Sequence, residues 1–494
     1  MKTLVNNKFV KYLIISLIFI LLVYYPVFQF LDFIPLYKWD ESRLAINAFE
    51  MHRNGNWIVT YFEGNPDMWS TKPPLMIWIQ VFFIKLLGVN DLAIRLPSAL
   101  AAFSVCLLLF LGAIKYLKSH ILGFIWVLLL LTSNAFIGHH ISRTGDYDTL
   151  LVLMSFCYVF SWYFFIERNN IKFIYLTFLF LTLAVLTKGV AGLFFTPTLF
   201  IWMLLNNKTL SVLKNKNIFI GFAGFLSIVL GYYFLRESYN PGFLKAVYVN
   251  ELGGRFSGNI EGHHEGFWFF FDQLKEKRLT NWFTIIPFGL LIGWFHVDGR
   301  IRAISKYTSL AIIQYLLIIS ISQTKLEWYD APLFPLIAIT NGFGVFFVYE
   351  ILKNTKIFND YLKFNFIPLV FLYFIFQLPY REVHAKTFKP NRDVREDGLY
   401  DICYFMKDAA QGKRNIDNFC ICYNGYQSQN IFYLDWLKEK NINIEKREIE
   451  QIKENDLIFV NQKDVIGQID RLFENMVVDS LRTVKVIKIG KMKY

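Results

Sequence analysis

Long runs of uncharged, mostly apolar residues recur over residues 1–379, and they constrain the fold of this chain more than any other feature. A bilayer core of roughly 30 Å is crossed by about 20 apolar helical residues. Apolar residues make up 55% of the 494 residues and charged residues only 18%, a balance that excludes a soluble multidomain enzyme. The pattern predicts a polytopic α-helical membrane protein.

We predict about eleven or more spans, beginning with a first run that lacks small residues for signal cleavage and is therefore interpreted as an uncleaved anchor. The predicted spans are residues 13–31, 96–114, 121–138, 149–166, 173–187, 189–207, 217–235, 279–295, 307–324, 331–349 and 364–380. The segment 73–88 is different, because only 12 uncharged residues separate Lys72 from Lys85. It fits either a short span or a helix that lies in the interface.

The distribution of Lys and Arg decides between these alternatives. If segment 73–88 is interfacial, the loops on one side of the membrane carry a net charge of +12 and those on the other a net charge of −2. Basic loops remain on the cytoplasmic side. Four loops and the tail are then expected outside an inner (cytoplasmic) membrane, on the periplasmic face. The loops are residues 32–95, 139–148, 236–278 and 325–330.

The tail from residue 380 is rich in charge and predicts a second domain, so we divide the chain into 1–379 and 380–494. The segments FCICYNGYQ, DLIFVNQ and VKVIKIG have the pattern of strands, and SQNIFYLDWLKEKN and DVIGQIDRLFEN that of helices. A small soluble α/β domain is therefore expected. No basic block predicts nucleic-acid binding, and the Cys pair at 420 and 422 fits a strand core better than a disulfide.

The first outer loop carries candidate catalytic groups. Asp40 and Glu41 begin an amphipathic helix that Gly55 ends, and they fit either a helix cap or a general base beside Arg43. Farther on, Lys72 in MWSTKPPL is fixed by two prolines, which suits either a phosphate contact or a snorkelling lysine.

The remaining outer loops add further candidates. The second loop brings together Arg143, Asp146 and Asp148, where a D-x-D motif fits a sugar site, a metal site or a plain helix cap. His139 and His140 lack partners at zinc-ligand spacing, and Lys188 is expected in a solvated hairpin. A glycine-rich third loop offers Arg255 for a phosphate, and Tyr329 lies in the short fourth loop.

Taken in order, the motifs of this chain resemble those of the bacterial aminoarabinose transferases and the related protein O-mannosyltransferases. The motifs are D-E-x-R, K-P-P-L, R-L-P-S-A-L at 95–100, R-T-G-x-Y-D, T-K-G, an Arg-bearing loop and K-x-x-x-Y-x-x-P. These enzymes are integral membrane glycosyltransferases of the GT-C class. The resemblance covers roughly residues 9–350 and implies a GT-C-like fold with interfacial helices in the first outer loop.

The resemblance also implies an activity: transfer of one sugar, with inversion, from a polyprenyl-phosphate carrier to lipid A, a protein or another surface glycan. It implies that Asp40 is the catalytic carboxylate, with Asp148 as the second acidic position. Arg43, Lys72 and Arg255 are implied around the lipid phosphate and Tyr329 in the same cavity. Leu44 and Trp69 depart from the usual family residues, which bears on the sugar and acceptor.

We also expect a monomer that requires no cofactor and no metal, with the lipid-linked sugar as donor. The predicted catalytic residues are Asp40, Glu41 and Asp148, and the predicted substrate-binding residues are Arg43, Trp69, Lys72, Arg143, Arg255 and Tyr329. A lipid-linked oligosaccharide transferase of the same fold is one alternative. A transporter or flippase is another, although charged residues are nearly absent inside the predicted spans.

Overall fold

Helices dominate the computed structural model, which describes residues 8–254, 265–355, 366–388, 390, 394–414 and 419–493. Arg255 lies outside the described residues. The helices of the membrane region are α1 Lys8–Phe28, α2 Asp40–Asn54, α3 Leu75–Leu87, α4 Asp91–Tyr116, α5 His120–Leu131, α6 Asp148–Arg168, α7 Lys172–Lys188, α8 Thr196–Leu205, α9 Thr209–Leu213, α10 Lys216–Tyr239, α11 Phe243–Val247, α12 Phe269–Gln273, α13 Ile286–Trp294, α14 Gly299–Ile321, α15 Phe334–Asn354 and α16 Ile367–Thr387.

Within the described residues, seven helical segments are long and apolar enough to cross a membrane. They are Lys8–Phe28, Asp91–Tyr116, Asp148–Arg168, Lys172–Leu193, Lys216–Tyr239, Gly299–Ile321 and Glu327–Asn354. The predicted number of eleven spans stays a prediction.

Three of the predicted spans contain helices shorter than expected. The run 121–138 is helical only as α5, and the chain then continues without regular helix up to α6. In the runs 189–207 and 279–295, a proline in the first turn marks the start of α8 and of α13, and the residues before it form 3₁₀ turns. Proline is favoured in the first turn of a helix, because the backbone N–H that it lacks would form no intrahelical hydrogen bond there.

The segment after Lys72 forms α3, a helix of 13 residues. At 1.5 Å per residue it spans about 20 Å, which is short of the roughly 30 Å of a bilayer core. It packs against α2 and α4 through buried Met76, Ile77 and Val81. Its length is what the interfacial interpretation requires.

The described part of the tail contains three α-helices and one mixed sheet. The first two strands of the chain, β1 Tyr61–Phe62 and β2 Asn65–Pro66, form a small hairpin in the first outer loop. The helices of the tail are α17 Val394–Ala410, α18 Ser428–Glu439 and α19 Lys463–Leu472. Its strands are β3 Phe419–Ile421, β4 Ile444–Lys446, β5 Leu457–Val460, β6 Phe473–Leu481 and β7 Val484–Met492. The sheet order is β4-β3-β5-β7-β6, with β3 parallel to both neighbours and β7 antiparallel to both. Strands occur in the three segments where we predicted them. Residues 473–475, predicted as helix, begin β6 instead.

The tail packs on the first outer loop. Leu36, Ile46 and Phe49 share one buried apolar cluster with Tyr400 and Phe432 of the tail. Cys420 and Cys422 are buried and free, as expected for a strand core. The α/β region therefore rests directly on the helix that begins with Asp40.

Candidate active site

A strained turn precedes Asp40. Trp39 has φ 74° and ψ −122°, a combination that side chains other than glycine rarely adopt. Helix α2 starts at the next residue, and Gly55 ends it in a left-handed conformation, as predicted. Asp40 is exposed, makes no side-chain cap and, among the residues that the structure describes, forms no ion pair. Its carboxylate is available to a ligand.

Asp40 lines a polar cavity with an empty volume of about 510 Å³. Six of the predicted site residues line it together. The residues that form this polar cavity are Asp40, Arg43, Leu44, Trp69, Ser70, Lys72, Asp146, Tyr147, Asp148, Lys188, Leu326, Trp328 and Tyr329. The topology thus joins three outer loops that are far apart in sequence.

An adjoining cavity of about 660 Å³ continues from the polar cavity. Both cavities are lined by Lys72, Asp148, Lys188 and Tyr329. The other lining residues of the adjoining cavity are mostly apolar: Leu151, Val190, Ala191, Phe194, Glu251, Tyr315, Ile319 and Ser322. Charged groups therefore lie at the junction between a polar space and an apolar one.

Lys188 and Asp148 form a nearly buried ion pair, with Nζ to Oδ1 at 2.5 Å. The Lys188 ammonium also lies 5.2 Å from the centre of the Tyr329 ring. The prediction that Lys188 sits in a solvated hairpin was wrong, because the chain turns inside the protein at Gly189, where φ is +56°. Asp148 lies in the first turn of α6 without capping it, since the structure gives this helix no side-chain cap.

Arg43 is held by a carboxylate that the motifs did not single out. Its Nε and Nη2 donate to the two oxygens of Asp67 at 2.9 and 2.7 Å. Burial would raise the pKa of Asp67, but the hydrogen bond and charge of Arg43 outweigh burial and lower it. Asp67 also accepts from the backbone N–H groups of Trp69 and Ser70, so it positions the loop that leads to Lys72.

Lys72 lies where the two cavities meet. Its Nζ is 3.3 Å from Glu251 and 5.7 Å from the centre of the Tyr147 ring. The Thr71 hydroxyl donates to the same Glu251 carboxylate at 3.1 Å. Glu251 belongs to a π-helical turn, Tyr248–Gly253, of the third outer loop. The third loop thus reaches the cavity through its described part.

Glu41 does not line the polar cavity, and the structure corrects its predicted catalytic role. Its side chain and that of Arg95 are fully buried, and Arg95 donates to both Glu41 oxygens at 2.7 and 2.9 Å. Glu41 also accepts from the backbone N–H groups of Tyr37 and Gly145. The contacts with Arg95 and Tyr37 lie within the first outer loop, and the contact with Gly145 joins this loop to the second, so Glu41 holds the two loops together.

Arg143 also departs from its predicted role in substrate binding. Its guanidinium donates to the backbone carbonyls of Pro26, Gln29 and Phe30, at the end of α1. Burial lowers the pKa of Arg143 to about 10, and the charge of Arg95 adds to the effect. Arg143 therefore ties the second loop to the first helix instead of reaching the polar cavity.

His140 and Asp146 form a further pair at the edge of the cavity, 3.3 Å apart. Burial would lower the pKa of His140, but the charge and hydrogen bond of Asp146 outweigh burial and raise it. The His140 ring also stacks on Trp328, with centroids 3.6 Å apart. No pattern in the sequence indicates this contact, because Trp328 lies in the fourth loop, far from His140 along the chain.

Several known proteins resemble this chain. Residues 71–233 match the family described as dolichyl-phosphate-mannose-protein mannosyltransferase. An uncharacterized protein of Aquifex aeolicus is 25% identical over 395 residues, which are 79% of this chain and 85% of that protein. The undecaprenyl phosphate-alpha-4-amino-4-deoxy-L-arabinose arabinosyl transferase of Wigglesworthia glossinidia brevipalpis is 26% identical over 344 residues, which are 67% of this chain and 58% of that protein.

The fold has a solved counterpart. The crystal structure of ArnT from Cupriavidus metallidurans bound to undecaprenyl phosphate superposes with a TM-score of 0.70, at 14% identity and over 97% of both chains. The chain therefore shares the GT-C fold of that protein. Within that fold class, the chain is similar to the aminoarabinose transferases and to the mannosyltransferase family, the resemblance that the motifs predicted.

Proposed function

We propose that this glycosyltransferase moves a single sugar from a polyprenyl-phosphate carrier to an acceptor outside the cytoplasm. The observation that carries the proposal is the junction of the two cavities at Lys72, Asp148, Lys188 and Tyr329. A polyprenyl phosphosugar needs an apolar space for its tail beside a polar space for its head. The ArnT structure described as bound to undecaprenyl phosphate supports a donor of this type.

In the proposed reaction, the acceptor hydroxyl oxygen attacks the anomeric carbon of the donor sugar. Asp40 takes the hydroxyl proton as the new glycosidic bond forms. The bond between the anomeric carbon and the phosphate oxygen breaks, and polyprenyl phosphate leaves with the bonding electrons. A single displacement of this kind inverts the anomeric configuration, and its balance requires no metal or cofactor.

Lys72 is the described cation best placed to meet charge on the leaving phosphate. It lines both cavities, and its contact with Glu251 at 3.3 Å is longer than those of Lys188 with Asp148 at 2.5 Å and of Arg43 with Asp67 at 2.7 Å. Donors that meet charge developing in a transition state are worth about 10² to 10³ in rate. Arg255 remains a predicted second phosphate contact outside the described residues.

We further propose that the site faces the periplasm from an inner membrane. The ends of α4 and α6 opposite the site lie together, because the Arg168 guanidinium is 5.4 Å from the centre of the Tyr116 ring. Arg300 donates to the Tyr116 carbonyl at the same end. We call this the basic end of the bundle, and the rule for basic loops assigns it to the cytoplasm.

The experiment that tests this proposal compares envelopes from cells with and without the gene, by mass analysis of lipid A, glycoproteins and surface glycans. The expected result is the loss of one sugar from one acceptor class, recovered with wild-type protein and not with Asp40→Asn. Glu63→Gln, an exposed carboxylate of the same loop, is the matched control and should restore the sugar.

Other outcomes contradict the proposal. Loss of a preassembled glycan would favour an oligosaccharide transferase. Restoration of the sugar by Asp40→Asn would refute Asp40 as the base. Accumulation of the lipid-linked sugar on the cytoplasmic leaflet alone would favour a flippase.

A further inference from the structure

A large apolar cavity, which we call the inner cavity, lies between α4, α5, α6, α7 and α14. Its empty volume is about 1230 Å³. Aromatic side chains form much of its wall, among them Trp126, Phe156, Phe160 and Phe164. The last three are spaced four residues apart on α6 and so line one face of that helix.

The inner cavity is separate from the site at Asp40. It shares no lining residue with the polar cavity or the adjoining cavity. Asp148 starts α6 and Arg168 ends it, so the helix rise of 1.5 Å per residue places them about 30 Å apart. The inner cavity reaches the basic end of the bundle, because Lys115, Tyr116 and Arg168 line it.

Two cations stand at that end of the inner cavity. Lys115 and Arg168 both line it, and each lies in the last turn of its helix. Neither is within ion-pair distance of a carboxylate in the described parts of the chain. The neighbouring Glu167 instead feels the charge of Lys208. The inner cavity thus combines apolar walls with two cations that have no described carboxylate partner. This combination suits a ligand with an anionic group and an apolar chain.

We propose that the inner cavity binds one acyl chain of an anionic phospholipid, with the lipid phosphate at Lys115 and Arg168. The bilayer already offers an apolar environment to every acyl chain, so the selectivity must come from the headgroup. Lys and Arg side chains attract anionic lipid headgroups, and two such cations together favour the anionic headgroup on the order of 10- to 30-fold.

Gly112 is a position from which a larger side chain can be directed into the inner cavity. It lines the cavity, and a Cβ built on it meets no atom within 4 Å. Gly112→Phe should fill the space that the acyl chain would occupy. Gly224 is the matched control, because it is also helical, meets nothing within 4 Å and lies outside the inner cavity.

The test measures retention of phosphatidylglycerol and of phosphatidylcholine with the same acyl chains on the purified full chain, by native mass spectrometry. We expect the wild type and Gly224→Phe to prefer phosphatidylglycerol at least 10-fold. Gly112→Phe should lose the bound lipid. Lys115→Ala with Arg168→Ala should lose the preference, whereas Lys214→Ala with Lys216→Ala should keep it. Equal retention of both lipids by the wild type, or no difference between the two glycine variants, would overturn the proposal.

A second inference concerns the turn before Asp40 and rests on the proposed role of Asp40. The tail binds this turn through three successive contacts. The backbone N–H groups of Leu36, Lys38 and Trp39 donate to the Tyr433, Tyr400 and Ser428 hydroxyls at 2.9, 3.0 and 3.3 Å. These contacts hold the backbone through the strained Trp39.

Ser428 has a further contact that ties it to α2. Its hydroxyl is fully buried and lies 2.7 Å from that of Ser42. We infer that Ser428 and Tyr400 are positioning residues, which hold Asp40 where the acceptor hydroxyl arrives. A misplacement of about 1 Å at a catalytic group costs up to about 10²-fold in rate.

Ser428→Ala tests this inference, with Tyr400→Phe as a second variant and Ser480→Ala, an exposed serine of the tail, as the control. Both positioning variants should lower kcat on the order of 10-fold or more, with the donor KM and the melting temperature unchanged. Wild-type kcat in both, with Asp40→Asn inactive, would refute only the positioning role. Activity in Asp40→Asn would instead refute the proposed function.

Discussion

Glu41→Gln separates the roles of two neighbouring carboxylates, because Glu41 is predicted to stabilise the fold and Asp40 to act on the substrate. Glu41 neutralises Arg95, whose side chain is fully buried. The substitution keeps the size of the side chain and removes its charge. It also places an amide NH₂ group where Arg95 and the N–H groups of Tyr37 and Gly145 all donate.

The expected loss follows from the burial of this pair. Removing one partner of a buried ion pair costs about 3–5 kcal/mol, because the other charge remains uncompensated. Arg95 keeps its bonds to the carbonyls of Leu31, Ile34 and Pro35, which places the cost at the lower end of this range. Asp40→Asn should change stability by less than about 0.5 kcal/mol, since Asp40 is exposed and outside any described ion pair.

The assay is reversible unfolding of the purified protein in mixed micelles, followed by tryptophan fluorescence, with transfer activity measured on the same samples. Glu41→Gln should be destabilised by about 3 kcal/mol, and its residual activity should follow the folded fraction. Combining Glu41→Gln with Arg95→Leu should recover part of the loss, because no buried charge remains. Glu41→Gln with wild-type stability and no activity would refute the reasoning and return Glu41 to the catalytic residues.

Three further predictions concern Asp148, His140 and Arg143 of the second outer loop and their partners. Asp148→Asn or Lys188→Met should each destabilise the fold by about 3–5 kcal/mol, because either one leaves a buried charge without its partner. The double variant should regain stability but lack transfer activity. A double variant with full activity would contradict a role for the pair at the site. Asp146 raises the pKa of His140, so protonated His140 stabilises the fold. This stabilisation is fully present below about pH 6.5, and it is lost as the pH rises through the raised pKa of His140. His140→Gln should remove that slope in melting curves taken from pH 6 to pH 9, and an unchanged slope would assign it to another group. Arg143→Met should lower the melting temperature while leaving the donor KM unchanged in the folded fraction, whereas a raised KM would restore Arg143 as a substrate contact.

The position of much of the site was predictable, because the loops rich in Lys and Arg remain on the cytoplasmic side of a membrane. The asymmetry of basic loops put Asp40, Lys72, Asp148 and Tyr329 on one face, and the structure brings all four to one cavity. The motif order then indicated a resemblance to the family, and the comparisons confirm this resemblance. These inferences needed only the sequence positions of loops and spans.

The partners of individual side chains were not predictable in the same way. Adjacent residues of a helix point about 100° apart, so Asp40 faces the cavity while Glu41 faces Arg95, 54 positions away in sequence. Lys188 looked solvated because its partner Asp148 lies 40 positions earlier. Asp67 carried no motif, yet it fixes Arg43. Such pairings depend on how loops fold over one another, which periodicity and charge counts do not encode.

The most direct test of the central claim is a single-turnover transfer assay with purified protein that has been loaded with a polyprenyl-phosphate-linked sugar. Asp40→Asn is predicted to bind the donor with wild-type affinity and to transfer its sugar at least about 10²-fold more slowly. Lys72→Met is predicted to bind the donor more weakly and to transfer slowly as well. Transfer by Asp40→Asn at the wild-type rate would contradict the account.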